Sequence, residues 1–376
     1  MLKSKNLAYL ISICVMFYAC VEPYDLNVQQ ERKILTIDAT ITDLAEEQSV
    51  KIIESYSAAN TVYAIPVAGA KVEIIVDNTE RIPLTERSGG VYVLPLSFHT
   101  QVGRSYKLAF QRADGTRYES EVEKLGGIPA ITNVYDEFKV DGIEASLGTE
   151  PAHYIYLDTE DPANEKNSYM WTWKLWEKQS ICATCYGGRF FLNPLPGECK
   201  IEANYANATY DYNCNGDCWQ IFYNKELNVF SDVYSNGKPI LGRLIAKIPY
   251  YAARGALIEI KQQSVSPNAF QYMKLLVNQV QNNGSLVDTP PAAIIGNVKN
   301  ITNPDEAVAG FFMVTSVRAV RYWIGRENAS GLARPIGLLG HTFIPEPSGP
   351  DLTRPPLAPC LEGKYRTPSK PDGWID

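Results

Sequence analysis

The feature that most constrains the fold of this chain is the regular spacing of turn residues between short apolar runs. Over residues 32–126, such runs are separated by turn signals that include Asp77-Asn78 and Ser88-Gly89-Gly90. Ala113-Asp114-Gly115-Thr116 is the clearest hairpin signal, because Asp-Gly suits the primed turns that match strand twist. The 26 glycines and 24 prolines of the whole chain also favour short strands joined by turns. This pattern predicts an immunoglobulin-like β-sandwich over residues 32–126.

A second domain is predicted to follow the run Gly126-Gly127-Ile128-Pro129, because glycines and a proline are typical of a domain boundary. Residues 127–345 contain strands rich in aromatic side chains, and Tyr169, Trp171 and Trp173 fall on one face of such a strand. This face either packs in the core or forms a platform for sugar rings, and core packing is the commoner use.

One helix is predicted within the second domain, over residues 267–283. Ser266 can cap it, Pro267 takes the first helical position, and apolar side chains then recur at helical spacing. Two strands are predicted after it, near Ala293–Val298 and Gly310–Val320. The predicted fold class is mainly β, with an N-terminal immunoglobulin-like β-sandwich followed by a second β-rich domain that contains one α-helix and a cysteine-rich insert.

The N-terminus has the pattern of a bacterial lipoprotein signal. Lys3 and Lys5 precede a short apolar run, and Ala19-Cys20 closes the run as in a lipobox. Because the run is too short to span a bilayer, residues 1–19 are predicted to be a signal peptide and Cys20 the acylated N-terminus. Residues 20–31 then form a polar tether. The alternative is an ordinary secretory signal that is cleaved before the cysteine.

The most patterned stretch of the sequence runs from Ser264 to Ile324. It contains, in order, an aromatic-bearing helix, a Gly-Ser, a Pro-Pro, a Gly-Asn, an Asn-Pro-Asp-Glu, a Gly-Phe-Phe and an arginine: Phe270-Gln271-Tyr272, Gly284-Ser285, Pro290-Pro291, Gly296-Asn297, Asn303-Pro304-Asp305-Glu306, Gly310-Phe311-Phe312 and Arg321. This order and spacing resemble the Bacteroidetes surface lipoproteins grouped as domain-of-unknown-function 4249. Val67–Val72 and Gly90-Val91-Tyr92 resemble the first domain of that family.

The resemblance implies a location and a partner. Members of the family look like neighbours of TonB-dependent outer-membrane transporters, so the resemblance implies a surface-exposed outer-membrane lipoprotein that works with such a transporter. The proline-rich tail over residues 346–376 is similar to the terminal segment of the family, although Gly373 stands where the family has Phe. The tail contains a single cysteine, Cys360, where the family has a pair.

The charge of the chain argues against two kinds of interaction. The formal net charge is -7, and loss of Lys3 and Lys5 with the signal peptide leaves -9. An acidic chain lacks the basic face that displaces counterions from nucleic acid, and anionic lipids do not attract it. No nucleic-acid partner is therefore expected, and membrane attachment is assigned to the lipid on Cys20.

The cysteines that remain after the signal and the lipid site are Cys182, Cys185, Cys199, Cys214, Cys218 and Cys360. An even number in an exported chain predicts three disulfides, with the connectivity left open. A zinc site formed by Cys182, Cys185, Cys214 and Cys218 is an alternative. Thiols oxidise outside the cytoplasm, which argues against it. A redox-active Cys182-Ala183-Thr184-Cys185 is a third interpretation, without the helix N-terminus that lowers a thiol pKa.

The run Asp211–Asp217 is similar to the start of a calcium loop, with oxygen-bearing side chains at alternate positions before the turn at Gly216. Phe222 stands where a calcium loop has its bidentate glutamate, so a turn held by disulfides is the simpler interpretation. No metal or other cofactor is expected.

Sequence support for catalysis is weak. The three histidines, His99, His153 and His341, are far apart, and no nucleophile elbow or phosphate loop occurs. The chain is therefore expected to be an accessory binding protein in nutrient capture rather than an enzyme, with the loops from Ser180 to Trp219 as its contact surface. The alternatives are a surface glycan hydrolase, which needs two carboxylates across a cleft, and a structural or adhesive surface protein.

Overall fold

The computed structural model describes residues 33–58, 61–145, 148–163, 165–281, 294–340, 342–349 and 352–376. Cys20, the signal peptide and the tether lie outside these residues. The strands and the α-helix are, in chain order, β1 Ile34–Thr42, β2 Ser49–Ala58, β3 Thr61–Pro66, β4 Lys71–Val76, β5 Glu80–Pro83, β6 Thr85–Ser88, β7 Val91–Val93, β8 Ser105–Gln111, β9 Arg117–Ser120, β10 Glu123–Lys124, β11 Ile131–Ala145, β12 Gly148–Thr159, β13 Ser168–Lys178, β14 Ile181–Tyr186, β15 Gly188–Phe191, β16 Glu198–Ile201, β17 Thr209–Asn213, β18 Trp219–Tyr223, β19 Asn228–Ser231, β20 Ile240–Pro249, β21 Ala256–Ser264, α1 Pro267–Gln281, β22 Val298–Asn300, β23 Val308–Thr315, β24 Val317–Ile324 and β25 Arg366–Thr367.

The N-terminal part of the chain builds a sandwich of two sheets. One sheet has the order β23-β1-β2-β7-β6 with β3 beside β2, and the other has the order β22-β9-β8-β4-β5 with β10 beside β8. Alternate residues of these strands point into a shared core, where Ile41, Ile52, Ile74 and Leu108 are fully buried. The mainly β fold class and the N-terminal sandwich are confirmed.

Two strands of this first sandwich come from residues that follow the helix in sequence. β23 lies parallel to β1, and β22 pairs with β9. The sequence pattern predicts both segments in the second domain, but the structure places Val298, Phe312 and Val314 in the first core. A parallel neighbour arrives by a long crossover instead of a hairpin, so local sequence patterns do not reveal it.

Glycines allow the returning strands to approach the first sandwich closely. Gly310 has a φ of +87°, and a Cβ there would lie 1.8 Å from the carbonyl oxygen of Ile37 on β1. A Cβ on Gly296 would lie 1.5 Å from the carbonyl oxygen of Gly310. Asn297 donates to the Phe312 carbonyl and accepts from the Phe312 amide, both at 2.9 Å. These residues of the patterned stretch therefore fasten β22 and β23 in place.

The second domain is also built from facing sheets. A three-stranded sheet, β11-β12-β20, lies against a sheet with the order β24-β21-β13-β18-β25, in which β19 also pairs with β13. Ile155 and Ile258 are fully buried between the sheets. Tyr169 and Trp171 are buried in the same core and Trp173 packs against it, so core packing of this aromatic face is confirmed.

Helix α1 covers the junction of the two sandwiches. It begins where predicted, and the Ala269 amide donates to the Ser266 hydroxyl at 3.1 Å as an N-cap. Its apolar side chains contact Met170 of the second sandwich, and the Tyr272 ring packs against Phe311 of the first in a tilted arrangement, with 4.9 Å between ring centroids. Its predicted last residues, 282 and 283, lie outside the described part of the chain. No helix in that part is long and apolar enough to cross a membrane.

Hydrogen bonds tie together the points where the chain passes between the sandwiches. The strand predicted over Gly310–Val320 is two strands, β23 in the first sandwich and β24 in the second, which separate at Ser316. The Ser316 hydroxyl donates to the Gly126 carbonyl at 2.8 Å, and the Ser316 amide donates to the Ser264 hydroxyl at 3.0 Å. Three crossings of the junction are therefore joined directly.

The proline-rich tail packs on the second sandwich. β25 pairs with β18, and Trp374 is buried against Trp219 and Trp323, with ring centroids 5.8 and 5.0 Å apart. Proline stops helices and central strands in this region, but aromatic packing and a single short strand still order it.

Candidate functional site

A cysteine-rich insert projects from the second sandwich between β13 and β18. It forms two small sheets, β14 with β17 and β15 with β16. The three predicted disulfides are confirmed, and the structure supplies their connectivity: Cys182–Cys214, Cys185–Cys199 and Cys218–Cys360. The last of these bonds joins the insert to the C-terminal tail.

The disulfides leave no thiolates for the two alternative uses of the cysteines. The sulfur atoms of Cys182, Cys218 and Cys360 lie within 4.8 Å of one another, but each belongs to a disulfide. Cys182 and Cys185 bond to different partners, so they do not form one redox-active pair. The close sulfurs therefore reflect two disulfides packed side by side.

Asp211 fastens the insert to a later segment of the chain. Its side chain is buried, and its two carboxylate oxygens accept hydrogen bonds from the Thr184 hydroxyl at 2.7 Å and the Ile344 amide at 2.8 Å. The Asp211 amide also donates to the Ile344 carbonyl at 2.7 Å. These contacts support the interpretation of this run as a pinned turn instead of a calcium loop.

The hairpin of β15 and β16 exposes apolar side chains at the surface of the insert. Leu195 is 84% exposed and Ile201 is 85% exposed, and Tyr186 and Leu192 are exposed beside them in sequence. We call these four residues the insert surface. Asn193-Pro194 and Leu195-Pro196 are cis peptide bonds at the hairpin turn. A contiguous exposed apolar patch marks a protein-binding surface, whereas single exposed apolar side chains are normal. The insert surface is therefore a candidate contact surface.

Several contacts hold this hairpin in one conformation. The Cys185–Cys199 disulfide joins β14 to β16. Arg189 forms ion pairs with Glu202 at 2.6 Å and with Glu346 at 3.5 Å, and the hydrogen bond to Glu202 is the main cause that raises the pKa of Arg189. The insert surface therefore lies on a rigid support.

The structure pairs one histidine with a carboxylate, which sequence spacing alone did not show. His153 Nδ1 lies 2.6 Å from Asp136 Oδ2, and the Tyr322 hydroxyl donates to Asp136 Oδ1 at 2.6 Å. Burial acts to raise the pKa of Asp136, but the two hydrogen bonds outweigh it and the pKa lies below its usual value. His153 is fully buried on the inner face of β12, so it cannot reach a substrate from this position.

Two buried carboxylates of the second sandwich are also committed to ion pairs. Glu177 pairs with Arg326, and Glu259 pairs with Lys174 at 2.9 Å and Arg321 at 2.8 Å. A glycosidase needs two carboxylates that face a shared cleft and are available to the sugar. Glu177 instead neutralises a buried arginine, and Glu259 neutralises two partly exposed cations.

Several described residues of the patterned stretch have structural roles, while Gly284-Ser285 and Pro290-Pro291 lie outside the described part of the chain. Glu306 accepts hydrogen bonds from the Tyr118 hydroxyl at 3.0 Å and from the Asn300 side chain, which fixes the turn before β23. Arg321 neutralises Glu259, and Gly296 and Gly310 permit close backbone contact. The pattern that carries the family resemblance thus builds the junction of the sandwiches.

Comparison with known proteins agrees with this resemblance. The family model described as Domain of unknown function (DUF4249) matches residues 21–321, which include the first sandwich, the insert, helix α1 and the second sandwich up to part of β24. The searches of curated proteins and of solved structures gave no match. The protein belongs to the DUF4249 family.

Proposed function

We propose that this protein is an exported lipoprotein, held at the outer membrane through Cys20, that acts as an accessory binding protein of a TonB-dependent transporter in nutrient capture. The observation that carries the proposal is the insert surface, an exposed apolar surface on a disulfide-bonded hairpin. The kind of partner comes from the family resemblance stated above.

The insert surface favours a binding role because its apolar side chains are held out from the fold. Leu195 and Ile201 make little contact with the rest of the chain, and the Cys185–Cys199 disulfide limits their movement. Covering such side chains with a partner removes apolar surface from water and costs little ordering entropy. Catalysis has less support, since His153, Glu177 and Glu259 serve internal contacts.

Replacing Cys20 with Ser is expected to release the protein from membranes or to leave the signal peptide uncleaved. The lipid chains on a single cysteine supply the anchor, since each buried methylene contributes about 0.8 kcal/mol. Membrane fractionation with intact-mass measurement tests this expectation. A Cys20→Ser protein of mature size that still fractionates with membranes would refute lipid attachment at this residue.

The double variant Leu195→Asp/Ile201→Asp is expected to lower co-purification of a TonB-dependent transporter by at least about tenfold, since charges would disrupt an apolar contact. Both side chains are exposed, so the variant should fold normally. The matched control is Leu96→Asp/Leu241→Asp, which alters two similarly exposed leucines outside the insert. Quantitative mass spectrometry of material purified from native outer membranes provides the measurement.

Point variants are sharper than removal of the whole hairpin. Deleting Tyr186–Ala208 should also weaken co-purification, but it removes Cys199 and leaves Cys185 as an unpaired thiol. Equal transporter recovery from wild type and the Leu195→Asp/Ile201→Asp variant would count against the insert surface. Equal losses in that variant and in the control would show that the effect is not specific to the insert.

A further inference from the structure

An aromatic cleft of about 520 Å³ lies in the second sandwich, away from the insert surface. Its walls include Trp173, Phe222 and Tyr251, and the last two rings stack with centroids 5.1 Å apart. Trp171 and Arg243 also line it, and these five residues define the aromatic cleft. Its volume is in the range of small-molecule sites, which are mostly apolar with a few polar groups.

Arg243 on β20 lines this cleft without an acidic partner. Its guanidinium lies 5.2 Å from the ring centroid of Trp171 and 5.4 Å from that of Phe230. Nη2 donates to the Asn228 side chain and to the Val229 carbonyl. Nε is buried and has no hydrogen-bond partner, and no carboxylate in the described part of the chain forms an ion pair with this arginine.

Two other arginines of the same sandwich are neutralised. Arg321 pairs with Glu259 and Arg326 pairs with Glu177, whereas burial lowers the pKa of Arg243 with no opposing carboxylate. A desolvated charge without a counter-charge is unfavourable in the free protein. Binding of an anion at Arg243 would remove this penalty.

The charges around the cleft also favour an anion. Lys225 and Lys247 line it with Arg243, and Glu226 is the one acidic lining residue in the described part of the chain. The chain as a whole is acidic, with a formal net charge of -7. A local excess of cations in an acidic protein raises the local concentration of small anions.

We propose that the aromatic cleft binds a small organic carboxylate that carries a flat or saturated ring. Both hydrogens of Arg243 Nη2 are donated within the fold, so Nη1 is left to donate a charge-assisted hydrogen bond to a carboxylate. Trp173, Phe222 and Tyr251 are half-buried and offer faces on which a ring can stack. This inference goes beyond the proposed function and does not depend on it, because binding at the cleft requires neither the lipid nor the transporter.

The first test compares acids with neutral analogues of the same shape. Phenylacetate, indole-3-acetate and glucuronate are titrated into the mature protein and followed by calorimetry, each beside phenylacetamide, indole-3-acetamide or glucose. At least one acid is expected to bind with a Kd below about 1 mM and at least about tenfold more tightly than its neutral analogue. Failure of all three acids to bind, or equal binding of acids and analogues, would overturn the proposal.

The second test assigns binding to Arg243. Arg243→Gln is expected to weaken binding of the best acid by at least about tenfold because it removes the cation, whereas Arg243→Lys is expected to keep more of the affinity because it retains the charge. The lysine keeps the positive charge against Trp171, so it reports on recognition even if the glutamine variant folds poorly. Arg117→Gln, which changes an exposed arginine of the first sandwich, is expected to bind like wild type. Wild-type affinity in Arg243→Gln would overturn the assignment.

Discussion

Arg326→Met is expected to lower the free energy of unfolding by about 3–5 kcal/mol, because it removes one partner of a buried ion pair. Arg326 and Glu177 are both almost fully buried. Arg326 Nη1 also donates to the carbonyls of Ala252 at 2.9 Å and Arg254 at 2.8 Å. The variant therefore leaves a buried carboxylate and two carbonyls without their donor. Urea denaturation at neutral pH measures the loss.

Two further variants separate the buried charge from other effects of the substitution. Glu177→Gln/Arg326→Met is expected to recover part of the loss, since no unpaired charge remains while the Ala252 and Arg254 carbonyls still lack a donor. Arg318→Met removes an exposed arginine that pairs with Asp43, and should cost about 1 kcal/mol or less. If Arg326→Met is no more destabilising than Arg318→Met, the buried pair does not hold the second sandwich together.

Glu123→Gln is expected to stabilise the protein above neutral pH. Burial raises the pKa of Glu123 from 4.5 to about 7, and hydrogen bonds with Ser266 and Asn297 offset the rise only in part. The folded protein therefore binds more protons than the unfolded chain in this window, so stability falls as pH rises from 4.5 to about 7. Each pKa unit corresponds to about 1.4 kcal/mol, so the glutamine variant should have a free energy of unfolding roughly 3 kcal/mol higher than wild type at about pH 8.

The pH dependence distinguishes this effect from a simple change in packing. At about pH 5 the Glu123→Gln variant should be within about 1 kcal/mol of wild type, because most of the difference develops at higher pH. Glu121→Gln, two residues earlier and exposed, should show no such pH-dependent difference. Denaturation midpoints at the two pH values provide the comparison. An identical Glu123→Gln effect at both would contradict the raised pKa.

The sequence predicted those parts of the fold that local patterns encode. Turn signals and alternation predicted the first sandwich, and Ser266-Pro267 predicted the start of α1, because strand period and helix caps are short-range properties. The return of β23 to lie beside β1 was not predicted, since a parallel crossover leaves no local signal. Burial of Trp374 was not predicted for a similar reason, because its partners are distant in sequence.

The sequence predicted the residue types of the candidate sites better than their arrangement. The six cysteines were identified, but their connectivity depends on which strands of the insert become neighbours. The exposed side chains of Leu195 and Ile201 could not be inferred, since apolar residues in a strand-rich segment usually pack inward. The sequence also could not show that Arg243 lacks an acidic partner, because that depends on which residues become neighbours in the folded chain.

The family pattern and the proposed function concern different parts of the molecule. Gly296, Gly310, Glu306 and Arg321 build the junction and the sheets, so the pattern describes a scaffold. The disulfide-bonded insert projects from this scaffold and carries the exposed apolar residues. A common scaffold with a separate contact surface is consistent with a binding protein, because function depends on the site and not on the fold.

A cross-link formed in intact cells tests the central claim most directly. The full-length protein carries a photoreactive p-benzoylphenylalanine at Leu195 in one strain and at the similarly exposed Leu96 in another. We expect the Leu195 position to capture a TonB-dependent transporter, identified by mass spectrometry, and the Leu96 position to capture none. Capture of no transporter at Leu195, or equal capture at both positions, would contradict the claim that the insert binds this partner.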